Sequence, residues 1–286
     1  METVFLNGQF LPKEQAMISP DDRGFLFGDS VYEVARWYGG YFFDLPAHAA
    51  RFRRSLHETR ITWKEESGIE EISHELIERN GLGTDCAIVY LQATRGAAPR
   101  NHAFPNPPVE PTVYGYARRH SLNTLACERG VGIWLTPDPR WNRCDIKTTA
   151  LIANILPYQE AQDGGYREVC FVRNGMVTEG AHSNIFFVRD GALFTHPSNN
   201  DILAGITRKN IINLAHANGI QVVEEAVAAD MIPYMNEGFI CNTTGEIVPV
   251  IKVTEQVIGD GTPGPVTRKL QTLLREYIQS LDPRRY

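Results

Sequence analysis

The sequence lacks the features that would place the chain in a membrane or in an oxidising compartment. No apolar run approaches the ~20 residues that a bilayer-spanning helix needs. The first ten residues, METVFLNGQF, do not show the basic-then-apolar order of a secretion signal. The cysteines number only five and include no CxxC pair, which argues against both a disulfide framework and a zinc ribbon. We therefore expect a cytoplasmic protein with no membrane partner.

Several common functional motifs are also missing. The net charge of −6 and the lack of a basic block give no attraction to nucleic acid. No GxxxxGK[ST] loop, no GxGxxG after a strand and no GxSxG elbow occurs, so the sequence supports neither a P-loop, a dinucleotide fold nor a serine hydrolase. His74-Glu75 opens an HExx sequence whose second histidine is absent. We expect no bound metal.

The sequence pattern predicts a chain of mixed helices and strands. With 286 residues, of which 43% are apolar, the chain fits two modest globular domains. The polar segment ARRHSLNTLACERG lacks periodicity and is interpreted as the region between them. We expect a smaller α/β domain over residues 1–117, a linker over 118–126 and a larger domain over 127–286, which would carry Lys147.

Turn signals and periodicity predict the individual elements. Small-residue pairs between apolar runs predict four hairpins, at Asn7-Gly8, Gly39-Gly40, Asn174-Gly175 and Asp190-Gly191. Apolar spacing predicts helices over 45–56, 69–77, 148–165, 206–219 and 266–281. Buried strands are expected over 86–94, 111–117, 131–136, 238–243 and 247–253.

Four polar features stand out from their apolar surroundings. They are Lys147, the segment Thr178-Glu179-Gly180, the glycine turn 203–208 that opens a helix, and the loop 99–102. A lysine amine can attack an aldehyde, and a carboxylate can hold a pyridine nitrogen protonated. A helix N-terminus offers donors to a phosphate, and an arginine grips a carboxylate in bidentate fashion. Together these match the requirements of pyridoxal phosphate and an acidic substrate.

Each feature also has a plainer interpretation. A lysine beside an apolar run extends its amine into water in roughly four cases in five. A glutamate at a strand end is usually solvated, and a glycine turn is more often a simple helix cap. Residue types and spacing alone leave both interpretations open.

The motifs in which these residues lie resemble the fold-type IV pyridoxal-phosphate aminotransferases, and within them the bacterial D-amino acid aminotransferases. The matching stretches are DRGFLFGDSVYEV, TRGAAPRNHAFP, RWNRCDIKTTALI, VTEGAHSNIF, THPSNNDILAGITR and TTGEIVPV, in the family's order over about residues 20–250. The resemblance implies an α+β or α/β fold of two domains, a smaller N-terminal α/β domain and a larger pseudo-barrel-like β domain with helices.

The resemblance also implies a role for each matching residue. Lys147 is the match of the Schiff-base lysine, which also carries the proton between the substrate Cα and the cofactor. Glu179 matches the partner of the pyridine nitrogen. The matches of the phosphate contacts are Arg51, Ile206, Thr207 and Thr243, and those of the substrate-carboxylate trap are Tyr32, Arg100 and His102. Arg140 and Arg143 match arginines near the site.

The implied activity is transfer of an amino group between D-amino acids and 2-oxo acids, as from D-alanine to 2-oxoglutarate. The family's arginine–histidine pair comes from the second subunit, which implies a homodimer with the active site at the subunit interface. Three positions depart from the family: Ala181 and His182 stand where serines are usual, and Asn242 stands where a serine is common.

Other activities share part of this pattern. Branched-chain L-aminotransferases share Lys147, Glu179 and the GITR motif, (R)-amine transaminases act on substrates without a carboxylate, and aminodeoxychorismate lyases use a related site for elimination. A catalytically silent cofactor-binding protein is a further alternative. The PRNH loop favours the D-amino acid interpretation.

Overall fold

The chain folds as two units that do not follow sequence order throughout. The computed structural model describes residues 2–64 and 68–285. Met1, residues 65–67 and Tyr286 lie outside this description. Unit 1 comprises the described residues of Met1–Ser121, Ile146–Leu151 and Leu281–Tyr286. Unit 2 comprises Leu122–Asp145 and Ile152–Ser280. The predicted domain boundaries, with a linker over 118–126, stay a prediction.

Unit 1 is an antiparallel sheet covered by helices. Its elements are β1 (Thr3–Leu6), β2 (Gln9–Pro12), α1 (Arg23–Phe27), β3 (Ser30–Tyr38), α2 (Leu45–Thr59), α3 (Ile69–Arg79), β4 (Cys86–Thr94) and β5 (Val113–Arg119). The strands lie in the order β2-β1-β5-β4-β3, and every pair is antiparallel. The apolar stripe of α2 is buried in one core with residues of α3 and the sheet. This packing fixes α2 beside β3, the strand that carries Tyr32.

Unit 2 contains a larger mixed sheet with helices. Its elements are α4 (Thr124–Arg129), β6 (Val131–Pro137), α5 (Ile152–Asp163), β7 (Glu168–Arg173), β8 (Met176–Val177), β9 (Asn184–Arg189), β10 (Ala192–Thr195), α6 (Ile206–Ala217), β11 (Val222–Val223), β12 (Glu237–Asn242), β13 (Glu246–Val253), β14 (Gln256–Val257) and α7 (Pro265–Ser280). The strand order is β11-β10-β9-β12-β13-β6-β7-β8, with β14 paired to β13. The β13–β6 and β6–β7 pairs are parallel.

Most predicted elements are confirmed. Three of the four predicted hairpins form, and Asn7, Asn174 and Asp190 adopt the positive φ that such tight turns require. At Gly39-Gly40 the chain also turns back on itself. The Tyr38 amide donates to the Tyr41 carbonyl oxygen at 2.8 Å and Trp37 bridges to Phe42, but this pairing is too short to count as a second strand. The last three residues of the predicted linker belong to α4, whose first turn is capped by the Asn123 side chain.

The helix predicted over 148–165 is shorter than expected. It begins at Ile152, because the preceding residues pair with β3 instead. Thr148 bridges to Val31, and its hydroxyl donates to the Ser30 carbonyl oxygen at 2.9 Å. Lys147 is therefore grouped with unit 1, whereas the sequence pattern assigned it to the C-terminal domain. The predicted helix start at Thr148 is wrong.

The helices of residues 2–64 and 68–285 are all too short or too polar to cross a membrane.

Candidate active site

The backbone of Lys147 is held against β3. The Lys147 carbonyl oxygen accepts a 2.9 Å hydrogen bond from the Tyr32 amide, and the Lys147 amide donates at 3.4 Å to Ser55 Oγ on α2. The lysine is half-buried, and its Nζ lies 4.1 Å from the centre of the Tyr32 ring. Tyr32 in turn stacks on Tyr90, with ring centres 5.5 Å apart. The structure thus brings together two predicted site residues, the amine and the tyrosine.

Arg51 is fixed by a buried carboxylate. Its Nε and Nη2 donate to Glu33 Oε2 and Oε1 at 2.9 and 2.7 Å, in a fork geometry. His48 Nδ1 lies 3.0 Å from the same Oε1. Burial opposes ionisation of Glu33, but Arg51 and His48 hold the pKa of this carboxyl well below its usual range. Arg51 also stands one helical turn before Ser55, so it shares the α2 face that contacts Lys147.

Arg100 and His102 of the predicted carboxylate trap are exposed, and their loop is held by the buried Arg23. Arg100 and His102 both pack on the Phe27 ring, at 4.9 Å for the guanidinium carbon and 5.5 Å between ring centres. Arg23 anchors the loop by donating at 2.5 Å to the Asn101 carbonyl oxygen. The structure therefore places Arg100 and His102 together on the surface of unit 1, on a different aromatic ring from Lys147.

Asp29 organises the base of the same loop. Its carboxylate accepts from Arg23 Nε at 2.8 Å and from Arg95 Nε and Nη2 at 2.8 and 2.9 Å. Burial alone would raise the pKa of Asp29, but the hydrogen bonds from Arg95 and Arg23 bring it below its ordinary value. The guanidinium of Arg95 also lies 3.6 Å from the centre of the Phe104 ring. These contacts fix both ends of the segment that carries Arg100.

Glu179, in unit 2, is a buried carboxylate with several donors. Arg140 Nη1 donates to Oε1 at 2.6 Å, and Asn184 Nδ2 donates to Oε2 at 3.0 Å. The Leu203 amide lies 3.1 Å from both oxygens. Burial raises the pKa of Glu179 to about 7, although Arg140 opposes this shift. A carboxyl with such a pKa can share a proton with a basic ring nitrogen near neutral pH.

A chain of charges supports Arg140. Asp138 accepts from Arg140 Nε at 2.9 Å and from Nη2 at 2.8 Å, and Arg173 Nη2 lies 3.1 Å from Asp138 Oδ2. Burial would raise the pKa of Asp138, but its bonds to Arg140 lower it. Arg140 is thus held between two carboxylates. The other arginine of this segment, Arg143, pairs with Asp145 instead, at 2.9 and 3.0 Å.

Ile206 and Thr207 form the buried first turn of α6. No side chain caps this helix, and its first internal bond runs from the Lys209 amide to the Gly205 carbonyl oxygen. The amides of Ile206 and Thr207 therefore lack acceptors within the helix, as at any helix start. Together with the dipole of the 12-residue helix, they suit an anion such as a phosphate.

Thr243 lies in the tight turn between β12 and β13. The Asn242 side chain shapes this turn, because its Oδ1 accepts from the Thr244 amide at 3.1 Å and from the Gly245 amide at 2.6 Å. Asn242, which replaces a serine common in the family, therefore acts as an acceptor within the turn. It orders the backbone that presents Thr243.

At the other departure, Ala181-His182, the histidine contacts a buried carboxylate. His182 Nδ1 lies 2.8 Å from Glu168 Oε2, and the same oxygen accepts from Ser183 Oγ at 2.8 Å. The other oxygen, Oε1, accepts from the Ala181 amide at 3.1 Å. Burial would raise the pKa of Glu168, but His182 and these hydrogen bonds lower it. A histidine–carboxylate pair thus holds the loop that follows Glu179.

The sequence patterns missed the groups that position the predicted residues. Glu33, Asp138 and Asn184 are buried or half-buried polar side chains that contact Arg51, Arg140 and Glu179 in turn. Asp29 and Glu168 instead hold the loops next to Arg100 and Glu179. Glu33 directly follows Tyr32 in a strand, where a charge within an apolar run was a usable signal of a buried partner. The other four carried no signal in the sequence pattern.

Comparison with known proteins identifies the family. The family model described as amino-transferase class IV matches residues 30–253. The chain belongs to this family of class IV aminotransferases, and the predicted fold-type IV, two-domain α+β class is confirmed.

Two curated relatives carry the name D-alanine aminotransferase. The protein of Staphylococcus haemolyticus is 39% identical over 284 residues, which cover 98% of this chain and 99% of that protein. The protein of Bacillus licheniformis is 37% identical over 278 residues, covering 97% of each.

Solved structures of branched-chain amino acid aminotransferases are similar as well. That of Escherichia coli has a TM-score of 0.85 at 27% identity and covers 98% of this chain and 94% of its own. That of Thermobaculum terrenum, solved in its PLP-bound holo form, has a TM-score of 0.85 at 27% identity and covers 99% of this chain and 95% of its own.

Proposed function

We propose that the protein is a D-amino acid aminotransferase that uses pyridoxal 5'-phosphate and transfers the amino group of D-alanine or a related D-amino acid to 2-oxoglutarate. The single observation that carries the substrate class is the 39% identity, over 98% of the chain, to a D-alanine aminotransferase. The PRNH loop with its anchored Arg100 supports the same choice.

The residues present fit pyridoxal phosphate. Unit 2 offers a buried carboxyl with a pKa of about 7 for the ring nitrogen and an uncapped helix N-terminus for the phosphate. Unit 1 offers the Lys147 amine, with Arg51 on the neighbouring α2. When bound, the cofactor supplies an electron sink that stabilises negative charge at the substrate Cα. We assign Glu179 to the ring nitrogen, and Arg51, Ile206, Thr207 and Thr243 to the phosphate.

The chain's own contribution is proton transfer and positioning. Lys147 Nζ carries the proton from the substrate Cα, since its backbone is fixed between β3 and α2 while its amine lies against the Tyr32 ring. Tyr32 sets the direction of the amine by covering one side of it. Glu179 keeps a proton available at Oε1 or Oε2 for the ring nitrogen, because burial raises its proton affinity.

The substrate carboxylate is bound by Arg100 and His102. A guanidinium and an imidazole on one aromatic ring form a cationic surface that fits a carboxylate. A substrate without a carboxylate would leave this surface unpaired, which disfavours bare amines. We also assign Tyr32 to this trap.

We infer that the protein acts as a homodimer. Arg100 and His102 are exposed in the single chain. Two large apolar side chains of the same unit are exposed as well, Phe25 at 79% and Phe104 at 43%. In unit 2, α5 exposes Ile152, Ile155 and Leu156 at helical spacing on one face. Exposed apolar faces of this kind are typical of subunit interfaces. Each active site would then receive Arg100 and His102 from the partner.

A cytoplasmic location stays a prediction, supported by the five free cysteines. It is tested by fractionating cells that express the tagged protein.

A substrate panel tests the activity. D-alanine, L-leucine and (R)-1-phenylethylamine are each offered with 2-oxoglutarate as the acceptor. We expect D-alanine to have the highest kcat/KM. A preference for L-leucine would favour the branched-chain activity of the structural neighbours, and a preference for the amine would overturn the carboxylate trap.

A further inference from the structure

Asn184 joins two parts of unit 2 that the proposed function assigns to different ends of the cofactor. Its Nδ2 donates to Glu179 Oε2 at 3.0 Å and to the Leu203 carbonyl oxygen at 2.9 Å. The side chain is buried, with 6% of the residue exposed. Both amide hydrogens are therefore committed, one to the predicted ring-nitrogen partner and one to the turn that leads into α6.

The oxygen end of the same amide lies against the helix start. A Cβ on Gly205 would overlap Asn184 Oδ1, so only glycine allows this approach. Gly205 has a φ of −66°, which any residue adopts, so the glycine is needed here for space and not for conformation. The turn and the amide are thus fitted to each other on both sides of the asparagine.

The backbone of Asn184 adds a third link. It is the first residue of β9, where it pairs with Cys241 of the neighbouring strand β12. The next residue of β12 is Asn242, which shapes the turn that presents Thr243. One residue therefore contacts the carboxylate, the helix turn and the strand that leads to the third predicted phosphate contact.

We propose that Asn184 is a positioning residue that holds Glu179 and the 203–207 turn in register, so that the cofactor's ring and phosphate are recognised as one unit. This inference rests on the proposed function. Asn184 donates once to a carboxylate and once to the main chain of a separate segment 19 residues away.

Energetic coupling distinguishes a positioning role from a structural one. The test measures the equilibrium affinity of the apoprotein for pyridoxal phosphate by absorbance, in a double-mutant cycle of Glu179→Gln and Thr207→Ala. Lys147 is unchanged in every variant, so its contribution to the affinity for pyridoxal phosphate cancels when the variants are compared. With Asn184 present, we expect the loss of affinity in the double variant to differ by about threefold or more from the product of the two single losses. In an Asn184→Ala background the losses should multiply.

Asn154→Ala provides the matched control. Asn154 Nδ2 donates at 2.8 Å to the Ala181 carbonyl oxygen, in the same loop, without touching Glu179 or the turn. In the Asn154→Ala background, the loss in the double variant should still differ from the product of the single losses. Asn184→Ala alone should weaken pyridoxal phosphate roughly 10- to 100-fold, as expected for loss of a hydrogen bond to a charged group. Should that variant not fold, Asn184→Ser, which keeps one small donor, takes its place in the cycle.

Three results would overturn the inference. The first is that the two losses of affinity simply multiply when Asn184 is present. The second is that their deviation from the product is unchanged in the Asn184→Ala background. The third is an affinity of Asn184→Ala for pyridoxal phosphate within about twofold of wild type. Failure of the wild-type protein to bind pyridoxal phosphate would contradict the proposed function itself, and is thereby distinguishable from failure of the role of Asn184.

Discussion

Arg140 donates a 2.6 Å hydrogen bond to Glu179, and both side chains are buried, yet the arginine does not keep this carboxyl at an ordinary pKa. The reason is that Arg140 is shared. It also contacts Asp138 at 2.8 Å, so part of its charge is already neutralised. Desolvation of Glu179 therefore outweighs the attraction, and its pKa rises to about 7 from its ordinary value of 4.5.

This shift predicts a pH-dependent stability of the apoprotein. The folded state keeps a proton on Glu179 that the unfolded chain releases between pH 4.5 and about 7. Stability from this group is therefore present below pH 4.5 and is lost as pH rises through about 7, by about 3 kcal/mol in total. Glu179→Gln should lack this loss, so its unfolding free energy relative to wild type should rise by about that amount from pH 4.5 to pH 8.

Urea unfolding of both apoproteins across this pH range measures the difference. Glu225→Gln removes an exposed carboxyl from the same unit and should leave the pH dependence of wild type unchanged. Parallel curves for wild type and Glu179→Gln would show that burial does not raise the pKa of Glu179.

Lys147 is expected to be the residue that reacts with the cofactor. Reduction of the loaded protein with borohydride, followed by peptide mapping, should label Lys147 alone. Lys147→Ala should lower kcat by roughly a thousandfold or more, because both the covalent attachment and the proton carrier are lost. Lys252→Ala, which removes a half-exposed lysine paired with Glu255, should retain labelling and activity. A label on any other lysine would refute the assignment.

Arg100→Ala should separate acidic substrates from bare amines. Loss of a charge-assisted contact predicts a KM for D-alanine that is about 10- to 100-fold higher, with little change for an amine that has no carboxylate. Arg118→Ala is the matched control, because Arg118 is also exposed in unit 1 and packs on an aromatic ring, that of Tyr116. Equal effects of Arg100→Ala on both substrate classes would argue against the trap.

Local patterns predicted the fold well where a single segment determines its own structure. Asn-Gly and Asp-Gly pairs predicted three hairpins, and the spacing of apolar residues predicted α2, because both signals depend only on neighbouring residues. The predicted start of α5 was wrong, because it depends on residues that are distant in the sequence. Thr148 and Thr149 bond to Ser30 of β3, 118 and 119 positions earlier, and no local pattern reports such a partner.

The site shows the same limit. The groups expected to meet the cofactor were found through motifs, because those residues lie in short contiguous stretches. The partners that hold them lie far along the chain: Asp29 contacts Arg95 over 66 positions, and Arg140 reaches Glu179 over 39. Such pairs are set by how the strands and loops pack. A single sequence contains the residues but does not reveal the pairing.

Mixing two impaired variants tests whether Arg100 serves the partner's site. In a mixed dimer, the Arg100→Ala protomer still has Lys147 and the Lys147→Ala protomer still has Arg100. The site that combines these two residues is intact. The other site lacks both. Random exchange makes about half of the dimers mixed, and half of their sites are intact, so about a quarter of wild-type kcat/KM for D-alanine should return.

The control for this experiment is a pair that cannot complement. Lys147→Ala mixed with Glu179→Gln tests two residues that we assign to the same protomer's cofactor, and a mixed dimer of these variants then has one defect in each site. No activity above that of the separate variants should appear. If Lys147→Ala with Arg100→Ala likewise stays at the level of its parents while size-exclusion chromatography and mass spectrometry show that subunits have exchanged, Arg100 acts within its own chain. Exposure of Arg100, His102 and Phe25 on a single protomer favours the recovery, because a second subunit would cover side chains that solvent reaches in the single chain.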